Sequence, residues 1–194
     1  VDAVVEMERF AQDDLLDHVA EAGRLTGAML TELAEGVAGF HRDAAVDHSR
    51  SGRDNIASVL AINEAALAAQ TVFSRSEVAD FNALFRAGLD RLAPVLDARE
   101  RAGKVRLVHG DLHLRNICLI DGQPTLFDCL EFDEDLATTD VLYDLAFALM
   151  DLWHRGAKHL ANILFNRYLD ATGDDAGIAL LPLFMAVRAA VRAH

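Results

Sequence analysis

Two periods run along this chain. Up to about residue 103, and again from about residue 138, apolar residues recur at steps of three and four, the spacing of one helical face. Between about residues 105 and 132 they gather instead in short β-branched runs separated by turn residues. The opening VDAVVEMERF is a short β-prone run. QDDLLDHVAEAG carries acidic residues in its first turn and Gly23 as a stop, which predicts a short helix. TGAMLTELAEGVAGFH places Leu30, Leu33, Val37 and Phe40 on one apolar face and predicts an amphipathic helix. The polar HRDAAVDHSRSGRD predicts a loop, and NIASVLAINEAALAAQTVF a helix apolar enough to be largely buried. Ser74 and Glu77 have the spacing of a capping box, opening a long helix through VADFNALFRAGLDRLAPVLDARERAG with a bend expected at Pro94.

The β texture that follows consists of VRLVHGDL, then NICLI and PTLFDCLEF, two short strands joined by a tight turn at DGQP. TTDVLYDLAFALMDLWHRG, KHLANILFNRYLDATG and DAGIALLPLFMAVRAAVRAH predict three further helices. The expected architecture is α+β and mostly helical, with a β-island at about residues 105–132 and residues 1–194 forming a single domain.

Composition narrows the function classes. The chain has 194 residues, 52% of them apolar, enough for a packed core. Its net charge of −13 argues against nucleic acid or an anionic membrane as partner, because phosphate binding needs clustered Lys and Arg. The longest uncharged run, residues 176–187, is too short to span a bilayer. The two cysteines, Cys118 and Cys129, read as reduced thiols of a cytoplasmic protein, since the turn between them sets them out of register for a bridge.

Residues capable of chemistry concentrate in the β-island. HGDLHLRN, residues 109–116, admits two readings. His109, Asp111 and His113 alternate as strand neighbours on one face do, and imidazole suits zinc; but Gly110 predicts a turn, and no further His or Cys pattern accompanies them. The other reading takes Asp111 with Asn116, five residues on, and Asp128 after the hairpin. Phosphoryl transfer needs a carboxylate to orient the attacking hydroxyl and accept its proton, and hard oxygen ligands for Mg2+ on the phosphates. Asp111 suits the first role; Asn116 and Asp128 suit the second. The Asp-x-x-x-x-Asn spacing is that of a kinase catalytic loop. The acidic run Asp133, Glu134 and Asp135 reads as a solvated loop, with Glu131 or Asp133 as candidates to meet a cationic substrate.

HGDLHLRN followed by LFDCLEFD and TTDVLYDLAFALMDL resembles the aminoglycoside phosphotransferase family, which has a protein-kinase-like fold, and within it a subgroup often fused to a P-loop kinase domain. VVEMERFAQDDLLDHV and FNRYLDATGD extend the resemblance over nearly the whole chain. The resemblance implies an ATP- and Mg2+-dependent phosphotransferase acting on a hydroxyl of a small molecule such as an amino sugar. It implies Asp111 as catalytic base and Asn116 and Asp128 as the metal- and nucleotide-binding pair. His109 and His113 would shape the loop, and Asp140 would brace it, with Asp144 as a second candidate. Arg115 stands where the family tends to have Gly, within reach of a phosphate. Cys129-Leu130 replaces the Phe-Gly of many kinases, so no kinase-style activation switch is expected.

Such an enzyme also needs an N-terminal β-lobe with a phosphate-covering loop and a lysine for the α- and β-phosphates. No lysine precedes Lys104, there is no Gly-rich nucleotide loop, and the first residue is Val1 rather than Met. The expectation is therefore the C-terminal lobe of a kinase-like fold, which relies on its own N-lobe and is inactive alone. The alternatives are a non-catalytic scaffold lobe and a zinc metallohydrolase.

Overall fold

The computed structural model describes residues 10–130 and 134–193. A 3-10 turn at Gln12–Asp14 leads into α1 (Leu16–Glu21), which stops at Gly23 with its backbone at φ 67°. Next comes α2 (Gly27–Asp43), capped by the Thr26 hydroxyl accepting from the Met29 amide, and then α3 (Gly52–Ala69), capped in the same way by Ser51. Ser74 and Glu77 form the anticipated capping box: each side chain accepts from the other's backbone N–H, at 2.8 and 3.3 Å. The helix they open, α4, runs unbroken from Arg75 to Arg101 through Pro94. After β1 (Val105–Leu107) come a 3-10 turn at Leu114–Asn116, β2 (Ile117–Ile120), β3 (Gln123–Leu126), α5 (Glu134–Ala137), β4 (Thr138–Asp140) and α6 (Val141–His154). The chain closes with α7 (Lys158–Thr172), a 3-10 segment Asp175–Leu180 and α8 (Leu181–Arg192). This is the expected α+β arrangement dominated by helices.

The β-island differs from expectation in its pairing. It is two separate two-stranded sheets. β2 and β3 form the anticipated hairpin, turned by Asp121 and Gly122, both at positive φ. β1 does not join them. It pairs antiparallel with β4, whose residues Thr138–Asp140 read in sequence as the start of a helix. Three residues are too few to show a period, so only their partner identifies them as a strand. β3 also ends at Leu126, short of the longer strand expected there. Cys118 faces Thr125 across the hairpin, and the two cysteines form no disulfide.

α6 is the axis of the core: all its residues from Val141 to Leu152 are buried. α7 and α8 pack against it, α2 against α7, and α3 against α4. Leu30, Leu33 and Val37 of α2 are inside, whereas Phe40 sits at the edge of that stripe, 37% exposed. His41 takes the inward position instead. The expectation of a largely buried α3 is corrected: Ile56, Leu60 and Leu67 are buried, but Ile62 is 51% exposed and Ala61, Ala65 and Ala68 face solvent. Alanine-rich helices look apolar on every side, yet among the described residues α3 packs mainly against α4, with smaller contacts to α8 and, through Asn55, to β4. The expected opening strand at residues 1–9, and Glu131 and Asp133, lie outside the described residues. Glu134 and Asp135 begin α5, and the Asp135 carboxylate accepts from Arg50 at 2.9 Å.

Candidate active site

The loop between β1 and β2 turns sharply because Gly110 takes φ 81°, a conformation that costs a side-chain-bearing residue energy. A Cβ there would also stand 2.6 Å from Cδ1 of Leu130. The turn points Asp111 outward, its side chain 36% exposed, while the flanking His109 and Leu112 are fully buried. Asn116 then folds back onto Asp111: its Nδ2 donates to the Asp111 carbonyl at 3.0 Å and to Oδ2 at 2.9 Å. His113 Nε2 lies 3.3 Å from the same Oδ2. Both partners converge on one carboxylate oxygen, so Oδ1 is left open among the described residues. Burial pushes the Asp111 carboxyl up, but the bonds from His113 and Asn116 and the charge of Arg188 outweigh it and hold the group below the ordinary carboxylate range.

His109 joins the loop to the segment after the hairpin. Its Nε2 donates to the Phe127 carbonyl at 2.9 Å, which fixes the tautomer and leaves Nδ1 to accept from the Asp111 amide at 3.4 Å. The Phe127 amide donates to the Asn116 carbonyl at 3.1 Å, and the Leu130 amide to the His109 carbonyl at 3.0 Å. Asp128 thus directly follows Phe127, which is tied to both His109 and Asn116 just past the end of β3. Its backbone is at φ 58°, and its exposed carboxylate has no partner among the described residues. With both nitrogens of His109 engaged, the zinc reading loses a ligand; among the described residues no three His, Cys, Asp or Glu side chains come together as a metal site.

The loop rests on α6. Asp144, fully buried, accepts from the Gly110 amide at 2.9 Å through Oδ1 and pairs with His41 Nε2 at 3.0 Å through Oδ2. Seven residues on, two turns along the same face, Asp151 accepts from the Leu114 amide at 3.1 Å. The two carboxylates therefore hold the two ends of the loop. Burial raises the Asp144 carboxyl, but His41, Arg188 and His109 more than reverse this and hold it low. Arg188 reaches in from α8, its Nη2 3.8 Å from Asp144 Oδ1 and its guanidinium stacked 3.9 Å over the Tyr143 ring.

The brace expected of Asp140 is made by Asp144 and Asp151 instead. Asp140 is the N-cap of α6, accepting from the Leu142 amide at 2.8 Å, and its other contacts go to Arg99 at 2.7 and 2.8 Å. Arg99 also binds Asp174, so this buried cluster fastens α4 and the 3-10 segment before α8 to α6. An N-cap side chain must point back over its own helix start, which turns Asp140 away from the loop. Arg115 lies on the surface, 64% exposed, its Nε 3.9 Å from Asp17 of α1. Asp151, His41 and Arg188 were not anticipated. The readable signal was carboxylates spaced four and seven apart in the otherwise apolar TTDVLYDLAFALMDL; a lone His or Arg on an amphipathic helix gives none.

The arrangement has one outward carboxylate with an open oxygen, an amide engaged through its nitrogen so that Asn116 Oδ1 remains available, and a nearby unpartnered carboxylate. A model of the phosphotransferase enzyme family matches residues 4–181. Uncharacterised proteins of Mycobacterium bovis and Mycobacterium tuberculosis are 30% identical over 195 residues, which covers 98% of the chain. The chain spans 39% of the length of these relatives. A solved structure of a glucosamine kinase in complex with glucosamine, ADP and inorganic phosphate is similar over 92% of the chain and 49% of its own, at 19% identity and a TM-score of 0.44.

Proposed function

The chain belongs to the phosphotransferase enzyme family, and from that premise we propose that it carries the catalytic and metal-holding loop of an ATP-dependent kinase whose acceptor is a hydroxyl of a small molecule. The observation that carries this reading is the convergence of Asn116 and His113 on Oδ2 of Asp111. An acceptor hydroxyl then meets Oδ1, and Asp111 orients it and takes its proton. Holding the carboxylate below its ordinary range keeps it ionised and ready at neutral pH. His113 acts as a strut, packed edge-to-face against the Phe147 ring at 5.1 Å. His109 keeps the loop in register with Asp128.

Asn116 Oδ1 and the Asp128 carboxylate fit Mg2+, being hard oxygens left open by the folding of the loop. When bound with ATP, the metal would neutralise charge on the phosphates. The remaining parts of such a site, the phosphate-covering loop and its lysine, belong to an N-lobe for which the greater length of the relatives leaves room, as it does for a further P-loop kinase domain. ATP as donor places the reaction in the cytoplasm; among the described residues no helix is long and apolar enough to cross a membrane. A net charge of −13 favours a cationic acceptor, of which an amino sugar is one kind.

The test uses the complete protein that carries this chain, screened for ATP consumption against amino sugars, sugars and small alcohols. Asp111→Ala abolishes phosphate transfer while leaving nucleotide binding nearly intact, whereas Asp128→Ala weakens Mg2+-dependent nucleotide binding. Transfer that survives Asp111→Ala removes Asp111 as the base, and unchanged binding removes Asp128 from the metal site.

A further inference from the structure

On the far side of α8 from the catalytic loop lies an open groove of about 610 Å3, between α4 and α8 with the buried Leu67 of α3 at its base. α8 separates the two regions. Its Arg188 turns inward to Asp144, while Ala186 and Ala190, about half a turn round the helix, line the groove. The α4 wall is a stripe at helical spacing that includes Phe81, Phe85 and Leu92, with Phe73 edge-on against Phe81 at 5.6 Å. Large side chains on one wall and alanines on the other leave the trough open. Its volume is that of a small-molecule site rather than a packing defect. Leu84 stays 68% exposed on its rim, an apolar surface that a soluble domain gains by covering.

Charge selects the occupant. The chain has 31 acidic residues, yet among the described residues none lines this groove, and the one charged lining residue is Arg91. Gly177 meets Arg99 and Gly88 meets Leu183, so the two walls run in opposite directions and Arg91 falls toward the Ala179 and Pro182 end; it has no ion-pair partner among the described residues. The lining is thus apolar apart from a single cation. The stripe from Phe81 to Leu92 is about 17 Å long at the helical rise, room for a chain of roughly twelve carbons.

We propose that this groove binds an anionic amphiphile of the fatty-acid class, with its carboxylate at Arg91 and its chain laid along α4 toward Phe81. The groove shares no lining residue with the catalytic loop or Asp128, so it is a second site, and the proposal is independent of the phosphotransferase reading.

Dodecanoate titrated calorimetrically into the complete protein that carries this chain binds saturably at one site. The affinity falls about fourfold for each methylene removed, the value expected when the chain is buried. Arg91→Glu weakens dodecanoate about tenfold and leaves dodecanol within about twofold, the scale of an exposed ion pair reversed in sign. Ala190→Trp fills the trough and abolishes binding of both, with an unchanged melting temperature confirming the fold. The proposal is overturned if dodecanol binds wild type as tightly as dodecanoate, or if Ala190→Trp leaves binding intact. It is equally overturned if the complete protein binds neither, which would mean that other polypeptide covers the groove. Self-association lost on Leu84→Asp would overturn it too, by making the groove an interface between copies.

Discussion

Replacing Asp144 by alanine tests whether the catalytic loop is held by a buried charge. The carboxylate is 0% exposed and serves the Gly110 amide at 2.9 Å, His41 Nε2 at 3.0 Å and Arg188 Nη2 at 3.8 Å. Alanine leaves a buried N–H without an acceptor, at about 1–3 kcal/mol, and a buried guanidinium without its anion, at about 3–5 kcal/mol. These costs overlap because the same groups relax together, so a total of about 4 kcal/mol is expected. For a chain of this size that lowers the melting temperature by roughly 10 °C. Asp144→Asn keeps an acceptor for Gly110 and loses only the charge, and about half the effect is expected. Guanidinium unfolding checks both, with the midpoint moving at constant m. The pH dependence has a definite sign. The folded-state pKa is depressed, so the stabilisation is complete above the unfolded value near 4 and is lost as pH falls from there through the folded value. Asp144→Asn removes that part of the acid destabilisation. A loss below about 1 kcal/mol for Asp144→Ala, the range of an ordinary surface pair, would refute the reasoning.

Gly110→Ala meets both a left-handed backbone and the Leu130 side chain 2.6 Å away, so a loss of about 1–3 kcal/mol is expected, with the backbone resonances of residues 128–130 displaced in NMR spectra. Adding Leu130→Ala relieves the steric part alone; full recovery would show that the positive φ costs nothing. Arg99→Met leaves Asp140 and Asp174 buried without their shared cation, and a loss of about 3–5 kcal/mol in chemical unfolding is expected. A change under about 1 kcal/mol would mean that Lys104, 3.5 Å from Asp174, suffices to balance the cluster.

The sequence by itself determined where the main helices lie, the capping box at Ser74 and Glu77, the hairpin turned at Asp121-Gly122, and the pairing of Asp111 with Asn116. Each of these is set by residues within a few positions of one another, so propensity, capping and turn chemistry suffice. Tertiary structure alone decided that Thr138–Asp140 is a strand, since its partner lies more than thirty residues upstream. It decided that α3 is half exposed, because an alanine-rich helix does not record which side has a neighbour. It also assigned the three aspartates at the start of and along α6. Asp140, Asp144 and Asp151 look alike along the chain, yet one caps its own helix over Arg99 and the other two hold the ends of the catalytic loop. A buried carboxylate takes its role from the donors that surround it, and those arrive from α2, α4, α8 and the loop only when the chain has folded.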